Sequence, residues 1–453
     1  VTSVDELAQR THEAFAQVRT DLEALVRIPS VSAAAFGPEG VEASAAAVAE
    51  LLRGAGMEQV DVLRVDDEEG RPGRPAVVAH REGPEGAPTV LLYAHHDVQP
   101  PGKPEGWRSD PFEPTQRGER LYGRGAADDK AGIVAHVGAL RVLGDDLGVG
   151  VTVFVEGEEE VGSPTFSRFL HTYRDRLAAD VIIVADSNNW KVGVPALTTS
   201  LRGLVDCVVE VSVLDHAVHS GMFGGPVLDA LTLLSRLVAT LHDDAGDVAV
   251  AGLTTAPSPT VDYPEDDLRA DAGVLDGVAL AGTGSLAARL WTKPALSVIG
   301  IDATTVDHAS NTITPSARAK LSLRIAPGQD PAAAEAALHE HLVSHAPFGA
   351  RVRVERGERG QAFQAPADSE AMRAARWAFT SAWGTEPVDI GVGGSIPFIA
   401  DLLEAYPQAA ILVTGVEDPD SRAHSEDESV HLGELERVVL AEALLLARLA
   451  RQV

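Results

Sequence analysis

Five short segments of this chain carry imidazoles and carboxylates of the kind that bind divalent cations. His95 and Asp97 stand as H-x-D in "HHDVQP", and Asp128 and Asp129 sit in "LYGRGAADDKAG". Glu158, Glu159 and Glu160 run together in "VEGEEEVGS", Asp186 follows "VIIVA", and His424 lies in "VEDPDSRAHSEDE". Imidazole plus carboxylate without thiolate suits zinc or a similar divalent ion. Several carboxylates with two histidines can hold two ions about 3.5–4 Å apart, bridged by one carboxylate and a water. Asp97, two residues after His95, is placed to accept the second imidazole N–H and so fix the ring's tautomer. A carboxylate left over from ligation can take a proton from the water.

Singly, each segment has an ordinary reading. An H-x-D is commonly incidental, an Asp-Asp pair before a helix is commonly an N-cap, and a glutamate run or "AHSEDE" is commonly a solvated loop. Their shared placement argues otherwise. Four of the five follow short apolar runs: "TVLLYA" at 89–94, "VTVFV" at 151–155, "VIIVA" at 181–185 and "AAILVTG" at 409–415. Such runs, separated by helical patterns such as "AGIVAHVGALRVL", suit strands buried on both faces of a mostly parallel sheet. Sites in such sheets form at the carboxyl ends of strands. Four strands therefore deliver His or carboxylate groups to one edge.

The elements that must position them form an α/β domain, a mostly parallel central sheet flanked by helices. "VDELAQRTHEAFAQVRTDLEALVRI" has helical periodicity and stops at Pro29. The middle of the chain alternates instead. In "LVDCVVEVSVLD" Val205, Cys207, Val209, Val211 and Val213 share one face, and in "AKLSLRIA" Leu321, Leu323 and Ile325 oppose Ser322 and Arg324. Strands with one wet face and helices near 226–242 and 331–345 describe a smaller α+β domain, with a loop-heavy stretch around 243–285. The expected organisation is a discontinuous domain, 1–196 with 362–453, into which 197–361 is inserted.

The chain has 453 residues, enough for two domains, and a formal net charge of −30 from 67 acidic and 37 basic residues. Such a surface repels phosphate backbones and anionic lipids, which argues against nucleic-acid or membrane partners. The single cysteine, Cys207, excludes an intramolecular disulfide and fits a reducing, cytoplasmic compartment. The first thirty residues lack a basic stretch followed by an unbroken apolar core, so no signal peptide is expected. No apolar run reaches the ~20 residues needed to span a bilayer; "VVLAEALLLARLA" is interrupted by Glu442 and Arg448 and reads as an amphipathic helix. No G-x-S-x-G elbow appears, and Cys207 belongs to an apolar strand row, so a serine or cysteine hydrolase is disfavoured.

With "ALVRIPSVS", the segments "YAHHDVQP", "GWRSDPFEP", "LYGRGAADDKAG", "EGEEEVGS", "VHSGMFGG", "SLRIAPGQDP", "GGSIPF" and "AHSEDE" resemble, in order and along the whole chain, the two-zinc aminopeptidase-like metallopeptidases. That family contains carnosinases, cytosolic non-specific dipeptidases, bacterial dipeptidases and several amidohydrolases. "DVQP" and "SDPFEP" favour the dipeptidase branch. The resemblance implies that His95 and Asp186 bind one metal, Glu160 and His424 the other, that Asp128 bridges them, and that the Asp128–Asp129 peptide is cis. It implies Asp97 as the residue orienting His95, Glu159 as general base, and Glu158 as a bystander. In the inserted lid and dimerisation domain it implies that His219 completes the partner subunit's site in a homodimer and that Arg324 clamps the substrate's carboxylate. Ser395 and the pair Asn311 and Thr312 would add substrate hydrogen bonds. Histidine at 96 and alanine at 131 depart from the usual pattern. The implied function is hydrolysis of dipeptides with two divalent ions per subunit, Zn(II) first, Mn(II) or Co(II) otherwise. The alternatives are an amidohydrolase acting on N-acyl amino acids and a non-catalytic metal-bound module.

Overall fold

The computed structural model describes residues 2–393 and 397–451, and by its contacts the chain divides into two compact units. The first comprises Val1–Thr199, Ala365–Asp389 and Asp401–Val453; the second comprises Ser200–Gln364 and Ile390–Ala400.

The first unit is built on β1 (Gln59–Leu63), β2 (Ala76–Arg81), β3 (Thr89–His95), β4 (Gly150–Glu156), β5 (Val181–Val184) and β6 (Ala410–Val413), in the spatial order β1-β2-β4-β3-β5-β6. The last four in that order run parallel; β1 and β2 pair antiparallel at one edge. Val90, Leu91, Leu92, Tyr93 and Ala94 of β3 are wholly inaccessible, as a strand covered on both faces must be. Truncating Leu92 to alanine there would cost about 2–5 kcal/mol.

Helices α1 (Val4–Val26), α2 (Glu39–Gly54), α3 (Lys130–Leu143), α4 (Glu370–Trp383) and α5 (Leu432–Leu449) belong to this unit. In α1 the Ser3 hydroxyl accepts the Glu6 N–H, and Leu7, Val18, Leu22 and Leu25 form the buried stripe. The carbonyls at and just past its C-terminus are not left bare: the Lys130 side chain donates to Leu25 O at 2.9 Å and Ile28 O at 2.8 Å. The charges of α5 behave differently from a solvated face. Glu442 is buried and meets His136 Nδ1 at 2.8 Å, while His136 Nε2 lies 3.0 Å from Tyr93 O.

Because β3, β4, β5 and β6 are parallel, their carboxyl ends lie together. Two glycines let the following loops close in. A Cβ at Gly132, in the first turn of α3, would stand 2.2 Å from Asp129 Oδ1 and 2.9 Å from Ala185 O. One at Gly415, just past β6, would stand 1.5 Å from Ser187 O. No side chain fits at either position.

In the second unit, strands Gly203–Ser212, Ala295–Asp302, Ser316–Ile325 and Arg351–Gly360 make an antiparallel sheet with Ser316–Ile325 between Ala295–Asp302 and Gly203–Ser212. Val205, Cys207, Val209, Val211, Leu321, Leu323 and Ile325 bury one face beneath helices Ala230–Ala239 and Pro331–Ser344. The stretch 243–285 is mostly irregular but holds a short helix, Glu265–Ala272, with three acidic residues in its first turn.

Candidate metal centre

His95 ends β3 with its side chain fully buried. Its Nε2 lies 3.0 Å from Asp128 Oδ1; its Nδ1 lies 3.1 Å from the Asp97 carbonyl oxygen and 3.4 Å from Asp97 Oδ1. The ring is therefore held chiefly by the backbone of Asp97. The Asp97 carboxylate has a further task, accepting the N–H groups of Glu159 (3.2 Å) and Glu160 (3.0 Å), which fixes the loop after β4. His96 is buried but turned away, Nε2 being 2.8 Å from Pro75 O; burial lowers its pKa to about 4, so it is a neutral core residue.

On the other side of Asp128, His424 Nε2 lies 3.0 Å from Oδ2 and 3.1 Å from Glu160 Oε2. Glu160 is held by Gln99, whose backbone N–H reaches Oε1 at 3.0 Å and whose amide reaches Oε2 at 2.8 Å. Two ligand-like groups result: His95, Asp129 and Asp186 in one, Asp128, Glu160 and His424 in the other. The Asp128–Asp129 peptide is cis. Asp129 also caps α3, accepting the Gly132 N–H at 3.1 Å, and its other oxygen accepts the His95 N–H at 3.2 Å.

The electrostatics show what this cluster lacks. Burial alone would raise Asp128, but hydrogen bonds from His424 and His95 override it and hold it well below the usual carboxylate range. Burial would lower His95, yet Asp128 and Asp97 carry it well above 6.5; hydrogen bonds to Asp128 and Glu160 raise His424 to about 11. Burial pushes Asp186 up to about 7 and Glu159 to about 8. Carboxylates that resist ionising, beside imidazoles that hold protons, are a cluster short of positive charge. Divalent cations supply it, and the donor set of imidazole nitrogens and carboxylate oxygens fits them.

Several residues bracing the cluster were not read as functional from sequence. Glu428 is completely buried, pairs with buried Arg124 at 2.7 Å, and accepts the N–H groups of Gly125 (2.9 Å), Ala127 (2.9 Å) and Asp128 (3.1 Å). It pins the loop that carries Asp128. Glu158, expected to be a bystander, is also buried; it accepts the Thr165 N–H at 2.8 Å and the Arg74 N–H at 3.0 Å. The acidic run is thus divided between a buried pin and two residues facing the cluster.

In the second unit, Val218–His219 pairs with Thr312–Ile313, His219 opposite Thr312, and Asn311 O accepts the Ser220 N–H at 2.9 Å. His219, Asn311 and Thr312 therefore share one exposed corner. Arg324 is half-buried on Ser316–Ile325. Close to it is Arg202, whose guanidinium reaches the carbonyls of Gly393 (3.0 Å) and Arg289 (3.3 Å), and whose pKa is lowered to about 10 by burial and by Arg324. Ser395 lies outside the described residues.

The model of the family described as "Peptidase family M20/M25/M40" matches residues 91–448. The chain is 37% identical over 364 residues to a cysteinylglycine-S-conjugate dipeptidase of Corynebacterium striatum, covering 79% of this chain and 80% of that protein. It is 29% identical over 400 residues to the β-Ala-His dipeptidase of Rattus norvegicus, with 83% and 81% covered. Human carnosine dipeptidase 1 superposes with a TM-score of 0.76 at 25% identity over 99% of both chains.

Proposed function

Since the chain belongs to peptidase family M20/M25/M40, we propose that it is a metal-dependent dipeptidase, hydrolysing dipeptides with a free C-terminal carboxylate. The observation that carries this reading is the placement of Asp128 between His95 and His424, with one oxygen 3.0 Å from each imidazole.

His95 and Asp186 would hold one divalent ion, Glu160 and His424 the other, with Asp128 between them. Bound there, the ions supply Lewis acidity and make a water acidic enough to lose a proton near neutral pH. Glu159 takes that proton and returns it to the leaving amine. Burial raises its carboxyl to about 8, and positive charge beside it would favour the ionised form that a base needs. Arg324 binds the substrate carboxylate, with Ser395, Asn311 and Thr312 as further hydrogen-bonding groups. His219, contributed across a homodimer, stabilises the oxyanion. Those roles in the second unit rest on the resemblance of the motifs that carry them.

Zinc is the first choice of ion for this donor set, with Mn(II) or Co(II) compatible. No helix among the described residues is long and apolar enough to cross a membrane. A cytoplasmic site of action is supported by the lone, buried, unpaired Cys207. The test is hydrolysis of a dipeptide library and a matched panel of N-acyl amino acids by protein reconstituted with each metal. The reading requires dipeptides to be the faster class. Faster N-acyl cleavage would make the enzyme an acyl-amino-acid hydrolase, and no turnover with any metal would leave a binding module.

A further inference from the structure

Three carboxylates around the metal centre have no hydrogen bond or ion pair to any described residue: Asp186, Glu159 and Glu417. The others are all engaged. Asp97, Asp129, Glu158, Glu160 and Glu428 accept backbone N–H groups or pair with cations, as described above. Asp186 and Glu159 have uses, as ligand and as base. Glu417 has none.

Its position is built. Glu417 lies four residues beyond the end of β6, and its carbonyl accepts the Asn189 N–H at 2.7 Å, tying it to the loop that carries Asp186. The Asn189 amide also holds Gly415 O at 3.2 Å, which fixes the backbone on the other side. Glu417 is 9% exposed, and the charged groups near enough to act on it are Asp128, Asp186, Glu428 and His424. Burial and those carboxylates drive its pKa well up. A carboxylate so placed is costly unless a cation meets it.

The metal ions do not complete the charge balance. Two divalent ions bring four positive charges, against which Asp128, Asp129, Glu160, Asp186 and Glu159 already set five carboxylates. Glu417 remains in excess. A dipeptide brings one further positive charge, its α-ammonium group, one carbon away from the scissile carbonyl. Standard bond lengths put that nitrogen roughly 2.5 Å from the carbonyl carbon, so whatever receives it must lie beside the metals.

We infer that Glu417 is the receptor for the substrate's free α-ammonium group and thereby selects aminoacyl over N-acyl substrates. The inference rests on the dipeptidase reading and names the residue that enforces its amino-terminal half. A charge-assisted hydrogen bond inside a desolvated pocket gives the discrimination its size; an N-acyl compound would leave the carboxylate buried and unpaired.

Alanyl-leucine and N-propionyl-leucine differ only in that ammonium group, so they are the probes. In zinc-reconstituted protein, Glu417→Gln should raise KM for alanyl-leucine about tenfold or more. It should leave the competitive inhibition constant of N-propionyl-leucine unchanged or lower it, because that ligand gains nothing from the carboxylate and no longer strands it. Glu417→Asp, which keeps the charge but shortens its reach, should fall between. Metal content and melting temperature are measured on every variant. Equal weakening of both ligands, or loss of metal from Glu417→Gln, would overturn the inference and make Glu417 a support for the metal centre. Failure of the unaltered enzyme to cut alanyl-leucine would instead remove the dipeptidase reading itself.

Discussion

Asp128 offers its two oxygens to two different imidazoles, Oδ1 to His95 Nε2 and Oδ2 to His424 Nε2, each at 3.0 Å. The two histidines come from chain segments more than three hundred residues apart, one buried and the other exposed at its side chain. A single carboxylate between them is what a shared ligand of two ions requires. Asp128→Ala should reduce bound metal from two ions to about one or fewer per chain and lower kcat by about 10³-fold. Elemental analysis beside steady-state kinetics measures both. Two ions retained in the variant would remove Asp128 from the bridge.

Metal binding should release protons. Without cations, His424 titrates at about 11 and His95 well above 6.5, so both are protonated at pH 7.5, yet both must be neutral to ligate. Zinc uptake at pH 7.5 should therefore expel about two protons or more, and affinity should rise with pH. Calorimetry in buffers of differing ionisation enthalpy reads the number. In the metal-free protein the sign is opposite: the His424 ion pairs stabilise the fold fully below pH ~6.5 and are lost as pH climbs through about 11. Zero proton release on metal binding would contradict this account.

Glu159→Gln should keep two ions bound and lose at least about 10²–10⁴ in kcat, the size of general-base assistance. KM should move little. A variant with near-normal turnover would take the base away from Glu159.

Glu428 and Arg124 are a buried pair, so removing one partner strands the other. Glu428→Ala should destabilise the protein by about 3–5 kcal/mol in urea unfolding and weaken metal binding, since the N–H groups of Gly125, Ala127 and Asp128 lose their acceptor. Unchanged stability would show that the loop is held by other means.

Four strands of the first unit were legible because β3, β4, β5 and β6 are nearly unbroken apolar runs, and a parallel sheet is what buries such runs; β1 and β2 were not read. His95, Glu159, Glu160 and Asp186 could be found because each lies just beyond one of them, and His424 because its segment follows β6. Glu417 obeys the same rule, four residues past β6, but was not singled out in the sequence. Glu428 and Glu442 were illegible for a different reason. A buried carboxylate is distinguished from a surface one only by its partner, and Arg124 and His136 stand roughly three hundred residues away in sequence. Gln99 hid likewise: nothing local says that its amide holds Glu160. The role of Asp97 was half legible, since its spacing from His95 pointed to the imidazole but not to the two amides of the loop after β4.

Crystals of the zinc-reconstituted protein, measured for anomalous scattering at the zinc edge, would locate the ions directly. The account predicts two peaks about 3.5–4 Å apart flanking Asp128. One should lie about 2.0–2.2 Å from His95 and Asp186, the other at the same range from Glu160 and His424. A single peak, or peaks that leave Asp128 without a bond to both ions, would contradict it.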